Sequence, residues 1–261
     1  MTIPRSFETL MWKQEGPRLT LTLNRPERLN AFSPAMFRDL GQAVETASKK
    51  ADVRVVIFTG AGRAFCSGAD LTNVSEYRSG AEGDELAHGI RQAQSVFDTV
   101  EALPQPTIAA INGHAVGAGL QLALACDFRV AARGAKLGLS DVKIGIVPAL
   151  GATLRLPPLI GIAKTKELIL TGDLISAEEA YRIGLVNLVV EQPSLDGTVG
   201  ELAEKLSSHA PLAMAAAKEL LDSRAPLDEV AAVQSRLIKS ADALEGISAF
   251  FEKRKPHFTG S

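Results

Sequence analysis

The chain has 261 residues, 46% of them hydrophobic and 22% charged, with a formal net charge of −2. That is an ordinary globular composition, long enough for one large domain or one domain with an appendage. Both signs of charge are spread along the chain, which excludes the clustered basic face of a nucleic-acid binder, and no run approaches the ~18 apolar residues of a membrane span.

The first elements predicted are two strands, "FETLMWK" and "RLTLTLN", joined by the turn "QEGP". Ser33-Pro34 reads as an N-cap and first helical residue, followed by Met36, Phe37, Leu40, Ala43, Val44 and Ala47 at helical spacing. "VRVVIFTG" is a buried strand and "GAGRAFCSGAD" a loop; a helix-like stretch, "LAHGIRQAQSVFDTVEAL", then leads to a second buried strand, "PTIAAING". "AVGAGLQLALACD" is a small-residue bend and an apolar helix with one amide, Gln121, in its middle. "FRVAA" is a short strand. After a Gly/Pro-rich passage (138–158) come the helix "AKTKELILTG" closed by Gly172, a capping-box start from Ser176 to Glu179, and the strand "LVNLVV". Only helices follow from Leu195 onward.

Alternation over the first ~190 residues and a helical end give an α/β class, with a core at 1–195 and a helical region at 196–261. Two cysteines, Cys66 and Cys126, are too few for a disulfide framework, and no metal-ligand spacing is present. With no signal-like apolar stretch in "MTIPRSFETLMWKQEGP", a reduced, cytoplasmic protein is expected.

Two loops share one form: buried strand, glycine, small residues, helix. Small residues let a ligand or another backbone approach closely. The helix after Gly117 offers free N–H groups that can hold an anion or a developing oxyanion. Tight packing is the alternative reading for each loop. Dinucleotide binding fits "GAGRAF" poorly, since only two of three glycines match.

"NRPERLNAFS", "GRAFCSGADL", "INGHAVGAGLQLALACDFRVA", "SDVKIGIVP", "LILTGDLISAEEAYRIGLVNLVV" and "EGISAFFEKRKPHF" together resemble the enoyl-CoA hydratase/isomerase (crotonase) family, in order and from about residue 8 to 258. The resemblance implies a spiral of ββα units, a C-terminal helical part that builds trimers or hexamers, and an acyl-CoA thioester ligand. No cofactor is implied, because coenzyme A arrives as part of the substrate. It also implies that the backbone N–H groups of Ala69, after Gly68, and Ala118, after Gly117, hold the thioester oxygen. One such donor is worth ~3 kcal/mol in other enzymes. Ala118 stands where glycine is usual; its donor survives if φ stays negative. By the same resemblance Arg28 and Leu29 approach the diphosphate and pantetheine. Ser67, Ala69, Asp70 and Leu71 line the adenine and pantetheine channel. Phe250 and Lys253 reach the nucleotide end, sometimes from a neighbouring subunit. Solvated surface charge is the alternative for Arg28 and Lys253, and loop closure or helix capping for Asp70.

Hydratases of the family place one Glu in the helix after the oxyanion loop and a second about twenty residues later. Here those positions hold Gln121 and Asp141. Gln121 cannot ionise; it orients water or substrate, or bridges buried backbone groups, and the two roles are compatible. Asp141 reaches ~1.5 Å less than Glu but can ionise, and an apolar pocket would raise its pKa. An N-cap role beside Ser140 is its alternative. His114, Cys66, His88 and Tyr77 are weaker candidates, with packing preferred for the first two and no role assigned to the last two. The reading is an acyl-CoA-processing enzyme working with at most one carboxylate, as enoyl-CoA hydratase or double-bond isomerase. A non-catalytic acyl-CoA carrier, or a thioester hydrolase or decarboxylase, is the alternative.

Overall fold

The computed structural model describes residues 7–72 and 83–261. Strand β1 (Leu10–Glu15) pairs antiparallel with β2 (Arg18–Leu23) across a turn at Gly16, whose φ is +58°. In β2 the side chains alternate, so Leu19, Leu21 and Leu23 are fully buried. The predicted turn shortens at its start because Gln14 and Glu15 stay in the ladder.

Three strand pairs follow, each bent sharply in the middle. β3 (Val55–Gly60) passes through 61–63 into β4 (Ala64–Cys66). β5 (Thr107–Ile111) passes through 112–113 into β6 (His114–Val116). β7 (Phe128–Ala132) passes through 133–135 into β8 (Lys136–Gly138). The first member of each pair joins a large sheet and the second a small one. With β9 (Ile175–Ser176) and β10 (Leu188–Val190), the orders are β1-β2-β3-β5-β7-β10 and β4-β6-β8-β9. From β2 onward every pairing in the large sheet is parallel.

Helix α1 (Pro34–Ser48) begins as expected: Pro34 is its first residue and the Ser33 hydroxyl accepts from Met36 N–H. α2 (Gly83–Glu101) leads to β5, and α3 (Ala118–Leu124), buried along its whole length, follows β6. α4 (Ala152–Thr171) ends on left-handed Gly172, as predicted. It starts earlier than the sequence suggested, because a break at Gly161 (φ 77°, ψ 156°) and prolines at 157 and 158 disguise its first half. The 60–70 segment, expected to be loop, contains β4; a strand of three residues is too short to display any periodicity. α5 (Ala177–Arg182) is capped by Ser176, whose hydroxyl accepts from Glu179 N–H at 3.2 Å.

The large sheet is buried on both faces, which is why its parallel strands read as unbroken apolar runs. On one face Val56, Phe58, Ala109 and Ile111 pack with Met36, Leu40 and Phe97. On the other, Val55, Ile57, Ile108 and Val130 meet Leu195, Val199 and Ala203 of α6 (Leu195–Ser207). α7 (Pro211–Ser223), α8 (Leu227–Leu237) and α9 (Ala241–Glu252) complete the chain. Chain order is therefore strand, strand, helix four times over (β1-β2-α1 to β7-β8-α4), which gives the mixed α/β class expected from the sequence.

Candidate active site

The site is built where the strand pairs leave the small sheet. After β4 the chain runs alongside the 25–32 segment. Ser67 N–H donates to Leu29 C=O at 3.0 Å, and the Ser67 hydroxyl lies 3.5 Å from Arg28 C=O. Phe32 N–H donates to Gly68 C=O and Phe32 C=O accepts from Asp70 N–H, at 2.8 and 2.9 Å. A parallel bridge of this kind uses the residues on either side of Ala69, so the Ala69 N–H faces away from it.

Two side chains hold this arrangement. Asn30, fully buried and left-handed (φ 57°), accepts from Arg25 N–H and donates to Ala61 and Ala64 C=O. Arg25 donates to Ala31 C=O at 2.7 Å and pairs with Asp70 at 3.0 Å. Asp70 also accepts from Thr72 N–H. Burial raises the Asp70 pKa, but the bonds from Arg25 and Thr72 outweigh it and leave the carboxyl below its ordinary range. Its side chain is thus a loop clamp, as one of the two sequence readings allowed.

The second loop arrives from β6. Gly117 has φ 52° and ψ −119°, open only to glycine, and its N–H donates to Gly138 C=O at 2.9 Å. Ala118 opens α3, so its N–H has no intrahelical acceptor. It is helical, so alanine in place of the usual glycine leaves the donor intact. The two loops touch. A Cβ on Gly117 would lie 3.6 Å from Gly68 Cα, and one on Gly68 would lie 3.9 Å from Ala118 N. A Cβ on Gly119 would collide with Cys66 C=O at 2.4 Å, so α3 rests directly on the end of β4.

Asp141 sits over the same spot. Its carboxylate oxygens would be 3.7 and 3.8 Å from a Cβ on Gly117. One of them, Oδ2, is buried with no hydrogen-bond partner among the described residues. Burial pushes the Asp141 carboxyl above the ordinary aspartate range, its own backbone N–H opposing. The short turn that Asp141 opens, Asp141–Ile144, has no side-chain cap, so the capping alternative is not what the side chain does.

Gln121, on α3, is 1% exposed. Its Oε1 accepts from Leu150 N–H at 2.7 Å and Ala152 N–H at 3.3 Å, capping α4. Both donors are backbone N–H groups, which fixes the amide orientation and leaves Nε2 without a protein partner among the described residues.

Residues 18–261 match the enoyl-CoA hydratase/isomerase family. The chain belongs to that family. It is 37% identical over 256 residues to the short-chain-enoyl-CoA hydratase of Clostridium acetobutylicum, covering 95% of this chain and 97% of that one. It is 40% identical over 264 residues to the carnitinyl-CoA dehydratase of Salmonella enteritidis, covering 97% and 99%. Among solved structures, the enoyl-CoA hydratase of Bacillus anthracis superimposes with a TM-score of 0.89 at 40% identity, over 97% of this chain and all of that one. Enzymes of this kind are therefore the frame for the remaining residues.

Within that family frame, several sequence candidates fall outside the site. Cys66 is fully buried and its thiol is pushed up to about 12 by that burial, so it packs rather than attacks. His114 is exposed at the start of β6, and its Nδ1 accepts from Lys136 N–H at 3.0 Å. His88 is exposed on α2 beside Gln92; Tyr77 lies outside the described residues. Arg28, Ser67 and Leu71 are exposed at the rim. Phe250 is exposed on α9, and Lys253 ends that helix in a left-handed turn. The segment after α9 bonds through Phe258 C=O to Arg54, at the start of β3. The site lies past the other end of that strand, about 20 Å away at ~3.3 Å per residue. No hydrogen bond or ion pair among the described residues ties Phe250 or Lys253 to the site of their own chain.

Asn30, Arg25 and Asn112 were missed as site builders. Asn112 binds both N–H and C=O of Gly60 and so fixes the bend between β3 and β4. Among the described residues no group of three or more His, Cys, Asp or Glu is placed to hold a metal, and no helix is long and apolar enough to cross a membrane.

Proposed function

We propose that this chain shifts or hydrates the double bond of an enoyl-CoA, with Asp141 as its one proton-transferring group. The observation that carries the reading is the buried, unpartnered Asp141 oxygen above Gly117, beside the contact between the Gly68 and Gly117 loops. Those N–H groups hold the thioester oxygen and stabilise the enolate formed when a proton leaves the α-carbon. For a 3-enoyl thioester, Asp141 takes the α-proton and returns it to the γ-carbon, moving the double bond into conjugation. A raised carboxyl pKa suits both halves of that transfer. For hydration, Gln121 holds water through Nε2 while oxygen adds at the β-carbon and the α-carbon gains a proton; with one acid this is the slower route.

CoA lies along Arg28, Leu29, Ser67, Gly68, Asp70 and Leu71, with the backbone of Asp70 facing it. Phe250 and Lys253 are contributed by a neighbouring copy in a trimer or a pair of trimers. The core at 1–195 then carries the site, and 196–261 carries assembly and covers the neighbour's CoA. No cofactor is needed beyond the substrate's own CoA. Two buried free thiols suit a cytoplasmic setting.

The test is turnover of crotonyl-CoA and of a 3-enoyl-CoA, followed by enoyl absorbance and product mass, in wild type and Asp141→Asn. We expect isomerisation to fall by ~10²–10⁴ in the variant while the thioester still binds. Water addition that survives Asp141→Asn overturns the assignment. Tight binding without product from any thioester points instead to an acyl-CoA carrier, the reading that Gln121 in an acid's place favours; free CoA release points to a hydrolase or decarboxylase.

A further inference from the structure

Arg155, near the start of α4, lies seven residues beyond the "SDVKIGIVP" motif, yet it is tied to Gln121 by a continuous chain of bonds. Its Nη2 donates to Asp98 and Glu101 of α2 at 2.6 and 2.7 Å. Its Nη1 donates to Leu150 C=O at 3.1 Å. The N–H of that same Leu150 donates to Gln121 Oε1 at 2.7 Å. One residue earlier, Ala149 C=O accepts from Gln94 of α2 at 2.7 Å.

Gln94, Asp98 and Glu101 follow i, i+4, i+7 spacing, so one face of α2 grips the 149–152 turn from outside. From inside, that turn offers two N–H groups to Gln121. Gly151 makes this possible: its φ is +104°, and a Cβ there would sit 2.0 Å from Arg155 Nη1. The guanidinium side chain is 8% exposed, and its Nε is buried without a partner among the described residues. A surface ion pair formed only for stability has no need to bury an unsatisfied N–H. Placement against the turn accounts for it.

We propose that Arg155 is a positioning residue, and that with Gln94 it fixes the turn whose N–H groups hold Gln121 Oε1 and so aim Nε2 at the space beside Asp141. This rests on the reading of Gln121 as a donor to water or substrate. Removing the guanidinium frees the Leu150 carbonyl, the turn relaxes, and Gln121 loses its single orientation.

The experiment is a double-mutant cycle with a readout independent of turnover. Arg155→Met, Arg155→Lys and Gln94→Leu are made in wild type and in Gln121→Ala, with enoyl-CoA kinetics measured for each. The side-chain amide signals of Gln121 are followed by NMR, assigned by their loss in Gln121→Ala. We expect Arg155→Met to lower kcat by about tenfold with KM changed less than about twofold, and to cost nothing further once Gln121 is gone. Lysine keeps a carboxylate contact but not the fork, so it restores only part of the rate. The Gln121 amide pair, sharp in wild type, broadens or shifts in Arg155→Met. Gln94→Leu, which leaves Arg155 and its ion pairs intact, gives the same pattern more weakly and stands in if Arg155→Met does not fold. Equal losses in both backgrounds, or unchanged Gln121 amide signals, overturn the proposal. Absence of any thioester turnover overturns the proposed function instead, and the amide signals still decide the role of Arg155.

Discussion

Around Gly68 and Gly117 nearly every polar side chain has a fixed backbone or side-chain partner: Asn30, Asn112, Arg25, Asp70 and the Gln121 oxygen are all engaged. The C-terminal helices are the reverse. α7 and α8 bury no side chain, and Leu227, Phe250 and Phe251 are 85%, 78% and 78% exposed. The site's scaffold is therefore complete within one chain, whereas the helices carry apolar surface that one chain leaves uncovered. Exposed apolar side chains of this kind are the raw material of a contact face. On the proposed reading, geometry comes from the first region and closure over CoA from the second, supplied by a neighbour.

That contrast can be broken at several points. Gly117→Ala strikes the complete region hardest. Alanine at φ 52°, ψ −119° costs ~1–3 kcal/mol, and the relief turns the Ala118 N–H aside. Turnover should fall by ~10² with a lower Tm, as for loss of one oxyanion donor. Wild-type turnover in this variant would mean that the loop geometry is not what matters.

Leu227→Asp combined with Phe250→Asp tests the other region. Both side chains are solvent-exposed in the single chain, so the fold by circular dichroism should not change. Light scattering should report a smaller assembly, and KM for the thioester should rise by about tenfold. An unchanged mass and KM would leave these helices as ordinary surface.

A subtler change, Gln121→Glu, keeps one oxygen on the Leu150 and Ala152 N–H groups and replaces the Nε2 donor by an acceptor. Hydration should gain a few-fold relative to isomerisation, read from the product ratio on the two thioesters. A loss of both rates would show that the donor, not a second acid, is what this site uses.

The smallest effect concerns stability. The folded Asp141 carboxyl titrates above 3.8, the ordinary aspartate value, so the folded state holds its proton more tightly than the unfolded chain does. The stability this gives is complete below 3.8 and is lost as pH rises through the folded pKa. Asp141→Asn should then be the more stable protein at neutral pH. That advantage should vanish in acid, as followed by denaturation at several pH values. An advantage independent of pH would mean that the carboxyl is not shifted.

Much of the frame was legible because its signals are local. Ser33-Pro34 announces α1, Gly172 closes α4, and β7 is bounded as "FRVAA" reads. The two small-residue loops were singled out, and the contacts between Gly117, Gly68 and Asp141 bear on why glycine is needed there. What stayed hidden depends on partners distant in sequence. Gln121 stood out as an amide in an apolar helix, but its acceptor role needs N–H groups 29 and 31 residues downstream. Asn30 and Asn112 lay inside quoted motifs, yet their carbonyl partners are 31 to 52 residues away. Arg155 carried no signal, since its carboxylates lie 54 and 57 residues upstream.

The fourfold strand–strand–helix order has one more consequence. The third unit, β5-β6-α3, is flanked by an equivalent on each side. At its seam with the second, Gly117 and Ala118 meet Gly68; at its seam with the fourth, Gly117 N–H meets Gly138 C=O and Asp141 lies above. No single unit owns the constellation. It belongs to the joints, so an architecture made by repetition acquires its asymmetry, and the place for its chemistry, at the boundaries between copies.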